Sequence, residues 1–153
     1  MGRGPKEVFQ MTLSQRAYLV AQSQVGFEEV PGDEANPQIL KYHQCTDLRA
    51  TSDEVAWCSA FVNFCMQVSG GRGTQDAMAR SWLDWGIPIK TPQEGDLVVF
   101  SSPTRGPGAG HIAFFKCRSL PGFIKVLGGN QGNKVCFKEY PTALILGYRR
   151  SKD

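Results

Sequence analysis

Three polar side chains stand along this chain in an order that thiol chemistry can use. Cys58 lies in Trp57-Cys58-Ser59-Ala60-Phe61-Val62 and opens an apolar, helix-like run. His111 follows about fifty residues later in Gly110-His111-Ile112-Ala113-Phe114, and Asn130 comes after it in Gly128-Gly129-Asn130-Gln131. A thiol attacks an amide carbonyl usefully only as the thiolate, and a helix N-terminus or a neighbouring imidazole lowers its pKa. A histidine can take the thiol proton and later give a proton to the leaving amine. A carboxamide oxygen can accept a hydrogen bond from the far ring nitrogen and fix the ring. If the three converge, cysteine amidase or peptidase chemistry follows.

Each of the three also has a plainer reading. Cys58 can simply pack in the core, as Cys65 one heptad later on the same face is expected to do. His111 follows the Gly- and Pro-rich loop 103–110 and starts an apolar run, so it can be a satisfied edge-strand histidine. Gly-Asn in a turn can mean only a left-handed backbone position. His43, beside Tyr42, reads as a surface or packing residue. Order and company carry the chemical reading of the first three.

The elements that must position them change character along the chain. Ser14 can cap a helix through Arg16, Ala17, Leu19, Val20 and Ala21 that ends at Gly26. Asn36-Pro37 is a cap and first-turn proline for a second helix over Gln38 to Cys45, and the stretch Glu28 to Glu34, with Pro31-Gly32, is a turn between them. A third helix carries Ala60, Phe61, Phe64, Cys65 and Val68 on its apolar positions until Ser69-Gly70-Gly71. Thr51-x-x-Glu54 has the form of a capping box that would start this helix seven residues before Cys58. A break near Ala56 is preferred, because the helix would otherwise lead with the acidic pair Asp53-Glu54; it would bring Cys58 closer to the N-terminal turn, where the helix dipole acts. A fourth helix is predicted from Gln75 to Trp85. After Pro92 the runs Leu97 to Phe100, Ile112 to Lys116, Phe123 to Leu127 and Leu144 to Arg149 read as strands separated by turn residues. Helices first and strands afterwards predict an α+β fold, with the N-terminal helices packed on an antiparallel β-sheet.

Composition narrows the class. At 153 residues with 41% hydrophobic and 20% charged residues, the chain fits one globular domain over 1–153, with 1–13 as a flexible lead. A net charge of +3, with Arg3 and Lys6 at one end and Arg149, Arg150 and Lys152 at the other, suits an anionic polymer but lacks the basic stripe of a nucleic-acid binder. Five cysteines form no even framework, so at least one thiol is free; Cys65, Cys117 and Cys136 read as small core residues. No Cys or His pair has zinc-site spacing, and no metal or other cofactor is expected. Met1 to Gln10 has no apolar h-region and no stretch is long enough to span a bilayer, so synthesis in the cytoplasm without a signal peptide and no membrane partner are expected.

Taken together, Trp57 to Val62, the strand Gly95-Asp96-Leu97-Val98-Val99-Phe100, Gly110 to Phe114 and Gly128 to Gln131 resemble the CHAP and NlpC/P60 superfamily of cysteine amidohydrolases and peptidases. Asn36-Pro37 with Tyr42-His43, and Ala79-Arg80-Ser81-Trp82-Leu83, resemble its phage-associated and bacterial peptidoglycan hydrolase branch. The resemblance covers roughly Gln15 to Arg150. It implies a papain-like single domain that cleaves an amide in a peptidoglycan stem peptide, or between muramic acid and L-alanine, with Cys58 as nucleophile, His111 as base and Asn130 as the residue that orients the ring. Many CHAP domains carry an acidic residue two positions before that asparagine. Here the position is Gly128, so Asn130 is expected to act unaided, and the second histidine often found in NlpC/P60 relatives is missing. No acidic calcium-binding loop precedes Cys58. Trp57, Trp82 and Gln131 are the candidate substrate-binding residues, although Trp82 and Trp85, three apart, also share the face that core tryptophans share.

Such an enzyme would be a monomer acting in the periplasm or cell wall after phage release or specialised secretion, as an endolysin, a tail enzyme or an antibacterial toxin. A toxin would have an immunity protein as partner. A non-catalytic binding domain with the same fold, and a cysteine hydrolase acting on a protein or acyl substrate, are the alternatives.

Overall fold

The computed structural model describes residues 11–30, 35–52 and 56–153. Among them, three α-helices precede an antiparallel sheet: α1 (Leu13–Ser23), α2 (Pro37–His43) and α3 (Cys58–Val68), then β1 (Ile87–Ile89), β2 (Leu97–Ser101), β3 (Gly110–Arg118), β4 (Phe123–Gly128), β5 (Cys136–Pro141) and β6 (Ile145–Arg150). The six strands lie in the order β1-β6-β2-β3-β4-β5. The fold is α+β, as the order of the two periodicities predicts. The Pro31-Gly32 turn, the Asp53-Glu54 pair, and Arg3 and Lys6 lie outside the described residues.

The helix boundaries follow from caps. Thr12, not Ser14, caps α1: its hydroxyl accepts from the Gln15 N–H at 3.2 Å, and the Gln15 side chain accepts from the Thr12 N–H at 3.0 Å. Ser14 is buried instead and exchanges hydrogen bonds with Ser151, 3.1 Å and 2.7 Å long, which tie the C-terminal segment to α1. Met11 and Leu13, at the end of the stretch expected as a flexible lead, are buried. Asn36 and Pro37 cap α2 as expected. The third helix begins at Cys58, after Trp57 with φ −130° and ψ 18°, so the break precedes Cys58 directly.

The predicted fourth helix is only a 3-10 turn, Ala79–Asp84. The backbone ahead of it is held in a non-helical turn by side-chain hydrogen bonds. The Gln75 N–H, at a left-handed φ of 59°, bonds to Asn63 Oδ1 at 2.7 Å, and Asp76 Oδ1 takes the Met78 N–H at 2.8 Å. Val68, expected on the apolar face of α3, is 57% exposed at the helix end. Strands β1 and β5 escape sequence reading because both are edges: one is three residues long with a proline, and the other carries Lys138-Glu139 at its centre.

Alternation along the central strands builds two apolar clusters. Leu97, Val99, Ile112 and Phe114 face the helices, packing with Phe61 and Met66 of α3. Val98, Phe100, Ala113 and Phe115 point the other way, where Tyr140, Leu144 and Tyr148 pack against them. Register breaks between Val99 and Phe100 and between Phe115 and Cys117 accompany this second layer, as bulges that bend a sheet do. Where β2 meets β6, the buried Asp96 carboxylate receives both Nε and Nη2 of Arg150 at 2.7 Å and the Gln93 N–H at 2.7 Å. Asp96→Ala should lower stability by about 3 kcal/mol, the bottom of the range for a broken buried pair, because the Arg150 side chain keeps 26% exposure. Urea unfolding checks this, and a loss below about 0.5 kcal/mol would mean the pair acts as a surface one.

Candidate active site

Cys58 is the first residue of α3, and the helix leaves it a positive end. The first N–H to bond back along the helix is that of Phe61, to the Trp57 carbonyl at 2.9 Å, so the amides of Cys58, Ser59 and Ala60 have no intrahelical partner. Trp57 supplies no side-chain cap. An anionic sulfur is favoured at such an end. The helix is seated by close contacts on two sides. A Cβ at Gly129 would lie 2.7 Å from both Phe61 Cβ and Trp57 Cζ3, so only glycine lets the β4 end approach this closely. Ser59 Oγ accepts from Trp82 Nε1 at 2.9 Å and donates to the Asp76 carbonyl at 2.6 Å.

His111 is the second residue of β3, in the part of that strand that β4 does not reach, since their pairing starts at Phe114 opposite Leu127. The N–H of the next residue, Ile112, is therefore not used in that ladder, and it helps to hold the pKa of the Cys58 thiol down. The imidazole packs against Phe100 and Tyr140, with centroid distances of 6.0 Å and 5.2 Å, and those two rings stack on each other at 4.8 Å. Its Nε2 lies 2.8 Å from Gln131 Oε1, and Gln131 Nε2 donates to the Cys136 carbonyl at 2.7 Å. That second bond fixes which way the amide faces. An amide oxygen can only accept, so the ring must carry its proton on Nε2, leaving Nδ1 to meet the Cys58 thiol.

The ring's partner is thus Gln131, where the sequence suggested Asn130. Asn130 takes a left-handed φ of 58° and lines the neighbouring cleft. The reason for the exchange is Gly128: a Cβ there would lie 2.6 Å from Gln131 Oε1 and 2.9 Å from the Ala113 Cβ. The empty position that seemed to leave Asn130 unaided is the space through which Gln131 reaches the ring. The glycine was the available signal. Gln131 itself, expected at the substrate, is 1% exposed. Trp57 and Trp82, also expected there, are fully buried and support the site from within, their indole N–H groups held by Glu29 at 2.8 Å and by Ser59. His43 is buried in α2 as a packing residue.

Electrostatics single out one thiol. Burial is the largest influence on Cys58 and pushes its pKa up. The hydrogen bond and charge of His111, the Ile112 N–H and the charge of Arg105 together outweigh burial and hold the thiol below its ordinary value. Cys65, buried without such partners, is pushed well above it. Cys117 is exposed and Cys136 half-buried, so neither is the core residue that its apolar neighbours suggested. Cys58 keeps 4% of its surface accessible and His111 keeps 7%. A cleft of about 280 Å³ opens beside the ring, lined by residues 101–105, His111, Asn130, Lys138, Tyr140 and Leu144. A larger hollow of about 510 Å³, bounded by Arg16, Trp85 and Asp153, contains none of these groups. Among the described residues no three His, Cys, Asp or Glu side chains gather as a metal site.

Residues 36–130, more than half of the chain, match the CHAP domain. The chain belongs to the CHAP domain family. Among solved structures, this CHAP domain is similar to a lipoprotein-like protein of the NLP/P60 family from Staphylococcus aureus subsp. aureus Mu50, with a TM-score of 0.55 and 18% identity over 100% of this chain and 44% of that one. At that identity the likeness shows the fold, an NlpC/P60-like one, and the chain spans less than half the length of that protein. A search of curated proteins gives no match. CHAP and NlpC/P60 proteins are in general cysteine amidases and peptidases, a peptidoglycan-hydrolase-like group.

A pKa held down at Cys58 gives this CHAP domain a testable signature. Iodoacetamide labelling of Cys58, followed by peptide mass mapping because Cys117 is exposed, should persist as the pH falls below the ordinary thiol value of about 8.5. In His111→Ala the titration should move upward. An unshifted profile in the unmodified protein would contradict the pairing. Gly128→Ala should shift the profile in the same direction as Gln131→Ala, because the added methyl occupies the place of the amide oxygen.

Proposed function

We propose that this CHAP domain hydrolyses an amide bond of peptidoglycan by acyl transfer through Cys58. The observation that carries this reading is the thiol at the start of α3 opposite an imidazole whose proton is held on the far nitrogen by a fixed amide. The thiolate attacks the carbonyl carbon, a C–S bond forms, and the oxygen's new charge is taken by an unpaired N–H of the helix start, that of Cys58 being nearest the sulfur. His111 Nδ1 gives its proton to the amine as the C–N bond breaks. Water then adds to the thioester while His111 takes its proton, and the carboxylic product leaves as the C–S bond opens. Gln131 keeps the ring in register throughout. The same geometry serves an N-acetylmuramoyl-L-alanine amidase and a stem-peptide endopeptidase, and mass analysis of released fragments distinguishes the two.

The low exposure of Cys58 favours one second reading, a binding domain that keeps the fold without turnover. Digestion of purified sacculi decides between them. The unmodified protein should release new amino groups, whereas Cys58→Ala and Cys58→Ser should fold normally and release none; digestion retained by Cys58→Ala would remove Cys58 as nucleophile. Proton transfer is worth about 10²–10⁴-fold, so Gln131→Ala, which frees the ring, should lower kcat about tenfold or more. Asn130→Gly, which keeps the left-handed backbone, should cost less. The reverse ranking would return the orienting role to Asn130.

A further inference from the structure

Two cations face the cleft beside His111, and among the described residues no acid answers them. Arg105 ends the 3-10 turn Pro103–Arg105 between β2 and β3, and Lys138 projects from β5. The described residues that line the cleft include no Asp or Glu, and among the described residues no carboxylate pairs with either cation. Elsewhere, Arg16, Lys116 and Arg150 each meet one. Both cleft cations are tied to the reacting groups. The charge of Arg105 is felt at the Cys58 sulfur, and Lys138 Nζ stands 5.3 Å from the centre of the Tyr140 ring that stacks on His111. Two like charges turned into one small cavity repel until an anion joins them, and a carboxylate can take a charge-assisted bond from each. Ser102 and Thr104 line the same wall, and their hydroxyl groups can complete its shell.

We infer that this cleft is a carboxylate subsite, so that the amide presented to Cys58 is one flanked by a free carboxyl group, gripped between Arg105 and Lys138. This rests on the hydrolase reading and narrows it: the preferred substrate is a stem peptide whose residue next to the scissile bond keeps its carboxyl unamidated. A carboxamide of the same shape would leave both cations unpaired and lose the charge.

The test uses two synthetic peptides, L-Ala-γ-D-Glu-L-Lys amide with the glutamyl α-carboxyl either free or converted to a carboxamide. Their affinities are measured by calorimetry on the Cys58→Ala protein, so that turnover plays no part. The free carboxylate should bind about ten- to a hundredfold more tightly, the span of hydrogen bonds to charged groups. That preference should fall towards one when Lys138→Gln or Arg105→Gln is added. Equal affinity for the two peptides, no binding of either at millimolar concentration, or a preference that survives both substitutions would overturn the subsite. Turnover by the unmodified protein is scored separately. Carboxylate-dependent binding without cleavage would count against the hydrolase and leave the subsite standing, whereas cleavage of both peptides at the same rate with equal affinity would do the opposite.

Discussion

A single buried amide sets the chemistry of this site. Gln131 gives its N–H to the Cys136 carbonyl and so can offer His111 only an oxygen, which forces the ring proton to Nε2 and frees Nδ1 for the sulfur. Everything around it serves that orientation. Gly128 leaves the space, the Gln131 N–H bonds to the Lys134 carbonyl at 3.0 Å to close the turn, and the Phe100 and Tyr140 rings hold the imidazole plane. An amide also avoids the cost of burying a second charge beside an imidazole, which a carboxylate in the same nearly sealed place would incur.

The sulfur itself is held in a balance of large opposing influences. A thiol this buried resists ionising, and Cys65, seven residues further along the same helix, shows the outcome when only a backbone hydrogen bond opposes burial. At Cys58 the opposition comes from three separate parts of the fold: the strand that carries His111 and Ile112, the loop that carries Arg105, and the N-terminal end of α3. No local segment could supply all three. The six-stranded sheet and its helices are needed to bring them to one atom, which is why the site lies where β3 runs on past the end of β4.

Much of this was legible in the sequence, and the misses share a physical cause. Asn36-Pro37 and the alternating runs of β2, β3 and β4 act locally, so they could be read locally. The failures occurred where distant side chains decide. Asn63 captures the Gln75 N–H at the start of the predicted fourth helix, and Ser151 occupies Ser14, leaving Thr12 as the cap. At the site, Cys58 and His111 could be chosen by residue type and order. Choosing between Asn130 and Gln131 required knowing that Gly128 faces the ring, which is a fact of register across β4 and β3. Trp57 and Trp82 were ambiguous for a similar reason: an indole suits a sugar-binding wall and a core equally well until its N–H partner is known.

The tautomer is the most exposed part of the account, and imidazole ¹⁵N NMR reads it directly on protein labelled at histidine, with a His111→Gln spectrum to assign the ring apart from His43. Nε2 of His111 should be protonated both in the unmodified protein and in Cys58→Ala, and the Nδ1 resonance should change when the thiol is removed. A ring protonated on Nδ1 alone, or one whose state is indifferent to removal of the thiol, would contradict the account.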